Sequence, residues 1–114
     1  MLCLKFSVNA AASKFAVLGF SYTMALELAK YNINVNSVCP GIVITDMIMR
    51  EWKWESKLRG IDETEFIENM RQNIPLNRFA KTEDIANMFL FLASDESNYI
   101  TGQAFNVNGG TGSH

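Results

Sequence analysis

Two stretches of this chain have the composition of strands, Ile33–Val38 and Gln103–Val107, and the distance between them limits the folds open to it. In the first, β-branched Ile33 and Val35 alternate with Asn34 and Asn36 before Val38. Pro40-Gly41 then ends it, because proline cannot donate to a ladder and glycine permits a sharp turn. Asn108-Gly109-Gly110 ends the second. Strands this far apart are not joined by a hairpin. A crossover carrying helices pairs them in parallel, with right-handed connection. The expected class is α/β, two strands plus helices.

The segments around them read as helices. From Ala11 to Tyr31, Phe15, Val17, Leu18, Phe20, Met24 and Leu28 recur at helical spacing, with Glu27 and Lys30 on a polar side. Asn32 suits the left-handed residue that ends such a helix. Asp46–Gly60 and Asp62–Asn73 are expected as two short helices, the second capped by Asp62 with Glu63 and Glu65 in its first turn. Ile74-Pro75-Leu76 is an extended connector, since the residue before proline avoids helical angles. A last helix is expected from a Thr82 cap to Ser94. Its run Met88-Phe89-Leu90-Phe91-Leu92 is apolar around much of the circumference, so packing on two sides is expected.

At 114 residues there is room for one domain, and the formal net charge of −2 leaves no footprint for nucleic acid or an anionic membrane. Cys3 and Cys39 have no metal-ligand neighbours, and the only histidine is His114, so neither a zinc site nor a Ser-His-Asp triad is expected. The thiols are expected reduced. The apolar run Phe15–Phe20 falls short of the ~7–15 residues of a signal peptide, and nothing approaches the ~20 of a membrane span. A cytoplasmic location is expected.

Four segments, in this order, resemble the short-chain dehydrogenase/reductase family: Ala12-Ser13-Lys14-Phe15-Ala16; Val35 through Pro40-Gly41-Ile42-Val43-Ile44-Thr45-Asp46-Met47; Ile74-Pro75-Leu76-Asn77-Arg78 with Glu83-Asp84-Ile85-Ala86; and Phe91-Leu92-Ala93-Ser94 with Tyr99-Ile100-Thr101-Gly102-Gln103 and Val107-Asn108-Gly109-Gly110. The resemblance covers 11–114 and implies the C-terminal portion of a Rossmann-like, doubly wound parallel sheet. It implies hydride transfer between NAD or NADP and a small-molecule alcohol or ketone. Polyol- and acetoin-type members are the most similar.

In that family a Y-x-x-x-K pair lies on the helix that opens this chain. Residues four apart share a helix face, and the lysine's charge draws the tyrosine's pKa down from ~10, so that the phenol can act as acid or base. Lys14 matches the lysine and would also hold the nicotinamide ribose. Ala10 stands at the tyrosine position. The resemblance assigns the turn Pro40, Gly41, Val43 and Thr45 to the nicotinamide carboxamide. The glycine-rich pyrophosphate turn and the active-site serine have no counterpart. Agreement fades upstream of Ala11, so residues 1–10 are expected to be an unrelated or frame-shifted leader.

Trp52 and Trp54 lie in the excursion that covers substrate in the family, and lid and packing readings both stand. Cys39 reads as a small strand-end residue, and Gly109-Gly110 as a turn near a subunit interface. Three functions remain. One is an oxidoreductase remnant, inactive alone. Another is a non-catalytic module pairing with an intact homologue, or with itself as a homo-oligomer. The third is a fragment complemented by a separate N-terminal chain, which restores a nucleotide site without restoring the tyrosine.

Overall fold

The structure is a computed structural model that describes residues 8–112, with the backbone alone at position 10. Cys3, His114 and most of the expected leader lie outside the described residues. Eight elements follow one another. They are helix α1 (Val8–Leu28) with a 3-10 turn at Ala29–Tyr31, strand β1 (Ser37–Pro40), helices α2 (Asp46–Arg59), α3 (Glu63–Gln72) and α4 (Thr82–Leu92), a 3-10 turn at Asp95–Ser97, and strand β2 (Ala104–Val107). β1 and β2 pair in parallel, with Ser37 opposite Ala104 and Pro40 opposite Val107. The expected α/β class and the parallel pair are therefore present.

Helix ends follow local chemistry. Asn32 is left-handed at φ 58°, as expected, and Gly60 closes α2 at φ 66°. The Asp62 carboxylate accepts from the Thr64 and Glu65 amides at 3.0 and 3.3 Å. Thr82 is not the cap expected of it. It is the first helical residue of α4, and Lys81 precedes it in extended conformation, its amide donating to Asp84 at 2.8 Å. The carboxylate already placed for the helix dipole takes that end.

The first strand starts later than expected. Ile33–Asn36 lie outside β1 because side chains take most of the ladder's place there, beside a single backbone bond from the Gly102 amide to the Val35 carbonyl at 2.8 Å. Asn34 Nδ2 donates to the Asn98 carbonyl at 3.0 Å and Asn36 Nδ2 to that of Ile100 at 2.9 Å. The Val35 amide goes to Thr101 Oγ1 at 3.0 Å. Asn36 Oδ1 also takes the Gln103 amide at 3.1 Å, so β2 opens at Ala104. Pro40 then ends β1 from within. The Ser37 and Gly41 amides donate to Gln103 and Val107, which directs alternate residues to β2 and leaves the missing donor of Pro40 on the open edge.

The core is small. Buried apolar side chains among the described residues are Ala25, Trp52, Phe66 and Ile74. α2 and α3 pack through Trp52, whose ring meets Phe66 edge-on at 6.5 Å and Phe79 at 5.0 Å. α4 touches both strands, yet only one side of it is covered, for Phe89 and Leu90 stay exposed. The Cα radius of gyration is 16.6 Å, against about 13 Å for a compact domain of this length.

Trp52 is 3 % exposed and Trp54 68 %. Trp52→Ala is expected to cost about 3–5 kcal/mol, as for a large aromatic removed from a core. Trp54→Ala is expected to stay within about 0.5 kcal/mol. Urea unfolding of both variants measures the difference.

Candidate functional site

The turn after β1 gathers four of the five expected site residues. The Gly41 amide donates back to Val107 at 2.9 Å. A Cβ at Gly41 would lie 2.8 Å from Cα of Asn108, so the two backbone segments approach too closely for any side chain there. Beyond it, Val43 bridges Ala80 in parallel. That bridge uses the Ile42 carbonyl, which accepts from the Ala80 amide at 2.9 Å, and the Ile44 amide, which donates to the Ala80 carbonyl at 3.0 Å. The N–H and C=O of Val43 point the other way and take no backbone partner among the described residues. Thr45 is extended, and its Oγ1 accepts from the Ile48 amide at 3.3 Å, capping α2. Its hydroxyl therefore starts the helix, a role its place before Asp46 made readable.

This turn sits at the carboxyl end of two parallel strands, where open α/β sheets bind ligands. One adjacent donor and acceptor on Val43 complement a primary carboxamide. Lys14 is exposed on α1, and among the described residues no hydrogen bond or ion pair joins it to the turn. The described residues thus fit the nicotinamide end of a dinucleotide and hold no glycine-rich cradle for its pyrophosphate.

Beside the turn lies a cavity of about 290 Å³ lined in part by Ile42, Ile74, Arg78, Asp84, Asn108 and Gly109. No local pattern marks it, because its walls come from four separate segments. Arg78 Nη1 donates to Asp84 at 2.7 Å and Nη2 at 3.1 Å. These bonds, with the Lys81 amide, hold the Asp84 carboxyl at about 2, so the pair stays ionised and mutually neutralised at pH 7. Gly109 and Gly110 have φ of 64° and 91°, and a Cβ on Gly109 would lie 2.8 Å from Cγ2 of Ile74. Glycine there lets the backbone lie against Ile74. Trp52, buried against α3, is a packing residue. Trp54 and Leu58 stand exposed on the outer face of α2.

The chain belongs to the short-chain dehydrogenase/reductase family. A family model described as Enoyl-(Acyl carrier protein) reductase matches residues 5–112. The 3-oxoacyl-(acyl-carrier-protein) reductase FabG of Thermotoga maritima is 46 % identical over 102 residues, 90 % of this chain and 37 % of the relative. A granaticin polyketide synthase putative ketoacyl reductase 1 of Streptomyces violaceoruber is 36 % identical over 108 residues, 95 % and 40 %. Among solved structures, a short chain dehydrogenase family protein from Francisella tularensis superposes with TM-score 0.90 at 35 % identity, over 97 % of this chain and 46 % of that one. L-sorbose reductase from Gluconobacter frateurii, complexed with NADPH and L-sorbose, gives 0.87 at 33 % identity, over 97 % and 43 %. The chain spans less than half the length of each. Ketoacyl and sugar reductases both stand among them, so the polyol-type subgroup is not singled out.

Proposed function

We propose that this chain is the C-terminal part of an NAD(P)-dependent oxidoreductase of alcohols or carbonyls, and that it supplies the nicotinamide side of the site without turning over by itself. The unspent Val43 N–H and C=O, on a turn at the carboxyl end of the parallel strands, carry the reading. In it Pro40 and Gly41 turn the chain, Val43 and the Thr45 region hold the carboxamide, and Lys14 holds the ribose. NADP is favoured by the NADPH named with several structural neighbours. The substrate is a small alcohol, polyol or ketone, and a cytoplasmic location goes with the reading.

Binding is expected no tighter than about millimolar, worth roughly 4 kcal/mol, because pyrophosphate and adenosine contacts belong to strands absent from the described chain. In an NMR titration with NADP, the amides of Gly41, Val43 and Thr45 should move first. Micromolar binding, or shifts that spare this turn, would refute the assignment.

A second reading, a module pairing with a homologue or with itself, is favoured by the exposed apolar surface of α1. Phe15, Phe20 and Leu26 are 54, 66 and 63 % exposed.

A further inference from the structure

The segment Ile42–Ile44 is tied to the rest of the chain through one residue. Among the described residues its backbone bonds go only to Ala80, whose amide donates to the Ile42 carbonyl and whose carbonyl accepts from the Ile44 amide. The direction in which Val43 presents its own N–H and C=O follows from those two bonds. A lone bridge with no ladder on either side opens readily, so whatever fixes Ala80 also fixes the groups that Val43 presents.

Ala80 is held from behind. A trans peptide is planar, with its N–H and C=O pointing in opposite directions, so gripping one end of the plane aims the other. The Ala80 amide shares a peptide with the Phe79 carbonyl, which accepts from Arg78 Nη1 at 3.1 Å. The Ala80 carbonyl shares a peptide with the Lys81 amide, which donates to Asp84 Oδ2 at 2.8 Å. Arg78 and Asp84 are themselves joined by the fork at 2.7 and 3.1 Å. Both peptides that reach the turn are thus gripped at their far ends by one closed unit.

Little else holds this segment. Arg78, Ala80 and Asp84 border the cavity, so no side chain packs on them from that side. With 52 % and 29 % of their side chains exposed, Arg78 and Asp84 add little to overall stability as an ion pair. Asp84 also caps α4, a role that needs its oxygen but not Arg78.

We propose that Arg78 and Asp84 are positioning residues for the nicotinamide turn: acting through the two peptides on either side of Ala80, they aim the N–H and C=O of Val43 at a carboxamide. The planar guanidinium is required, because Nη1 serves Phe79 and Asp84 at once while Nη2 completes the fork. The inference rests on the nicotinamide reading of the turn.

Amide exchange followed by NMR on the full chain, without cofactor, tests the coupling. Arg78→Met keeps an apolar stem and leaves the Asp84 cap on α4 in place. It should speed exchange at Ala80 and Ile44 at least about tenfold, while the Phe66 amide in α3 and the Ala93 amide after α4 keep their rates. Arg78→Lys retains the charge without the fork and should not restore protection. Asp84→Asn, which retains an acceptor for Lys81, should act in the same direction. Adding it to Arg78→Met should change exchange by no more than about twofold further, as for members of one unit. Apparent affinity falls with the fraction of chains whose turn is competent, so the initial slope of the Val43 shift against NADP should drop at least about threefold in Arg78→Met.

Unchanged exchange at Ala80 and Ile44, equal acceleration at Phe66 and Ala93, recovery by Arg78→Lys, additive effects in the double variant, or an undiminished NADP slope would each overturn the proposal. A parent chain whose Val43 amide ignores NADP would overturn the nicotinamide reading and the proposal with it. An error in the coupling alone would show in the exchange rates, which are measured without NADP.

Discussion

Purified as the 114-residue chain, the protein is expected to show no turnover of NADH or NADPH with alcohols or ketones. Position 10, four residues before Lys14 on α1, is alanine, and alanine has no proton to exchange. Loss of a positioned acid–base group alone costs about 10²–10⁴-fold. Weak cofactor binding multiplies that loss at any practical concentration. Stopped-flow and steady-state absorbance at 340 nm check it, and turnover of even about one per second, within the ordinary enzyme range, would contradict it. Ala10→Tyr alone should not rescue activity, because the pyrophosphate contacts stay missing.

The second large effect concerns folding. At dilutions where association is lost, the chain is expected to give no cooperative melt. Ile33 is 47 % exposed, and Val35, Val38, Phe105 and Val107 are only half-buried. Had these five been fully covered, at about 1.5–3 kcal/mol each they would supply roughly 7–15 kcal/mol. That equals the net stability of an ordinary domain, about 5–15 kcal/mol. The open edge of β1, carrying the unmatched Val38 amide beside Pro40, adds an unpaired strand face. Thermal unfolding over a dilution series, read beside light scattering, measures the coupling. A monodisperse monomer melting cooperatively above about 50 °C, within the usual mesophile range, would show that four buried apolar residues suffice.

An inactive chain that dimerises through α1 fits an association module, whereas cofactor-dependent shifts at Val43 report the inherited nicotinamide turn whatever the oligomeric state.

Features resting on neighbours in the chain were mostly legible from the residues alone, the Thr82 cap being the exception, since Lys81 takes that place. Asn32 and the Asp62 cap are examples, since a left-handed residue and an N-cap act over two to four positions. The parallel pair was legible too, because strands so far apart, with helices between, admit no hairpin. The start of β1 was not. Asn34 and Asn36 look like the polar face of a strand, but their amides reach carbonyls of residues 98 and 100, which no local pattern brings near. Trp52 and Trp54 could not be told apart for a similar reason. Two positions on a helix differ by about 200° of azimuth, and only the placement of Phe66 and Phe79 made the Trp52 side the inner one. The free backbone of Val43 likewise became visible only when Ala80 was found bonded to its neighbours on either side. Local order is written in short-range sterics and capping. Which face is buried, and which backbone group is left unspent, depends on segments far away in sequence that pack alongside.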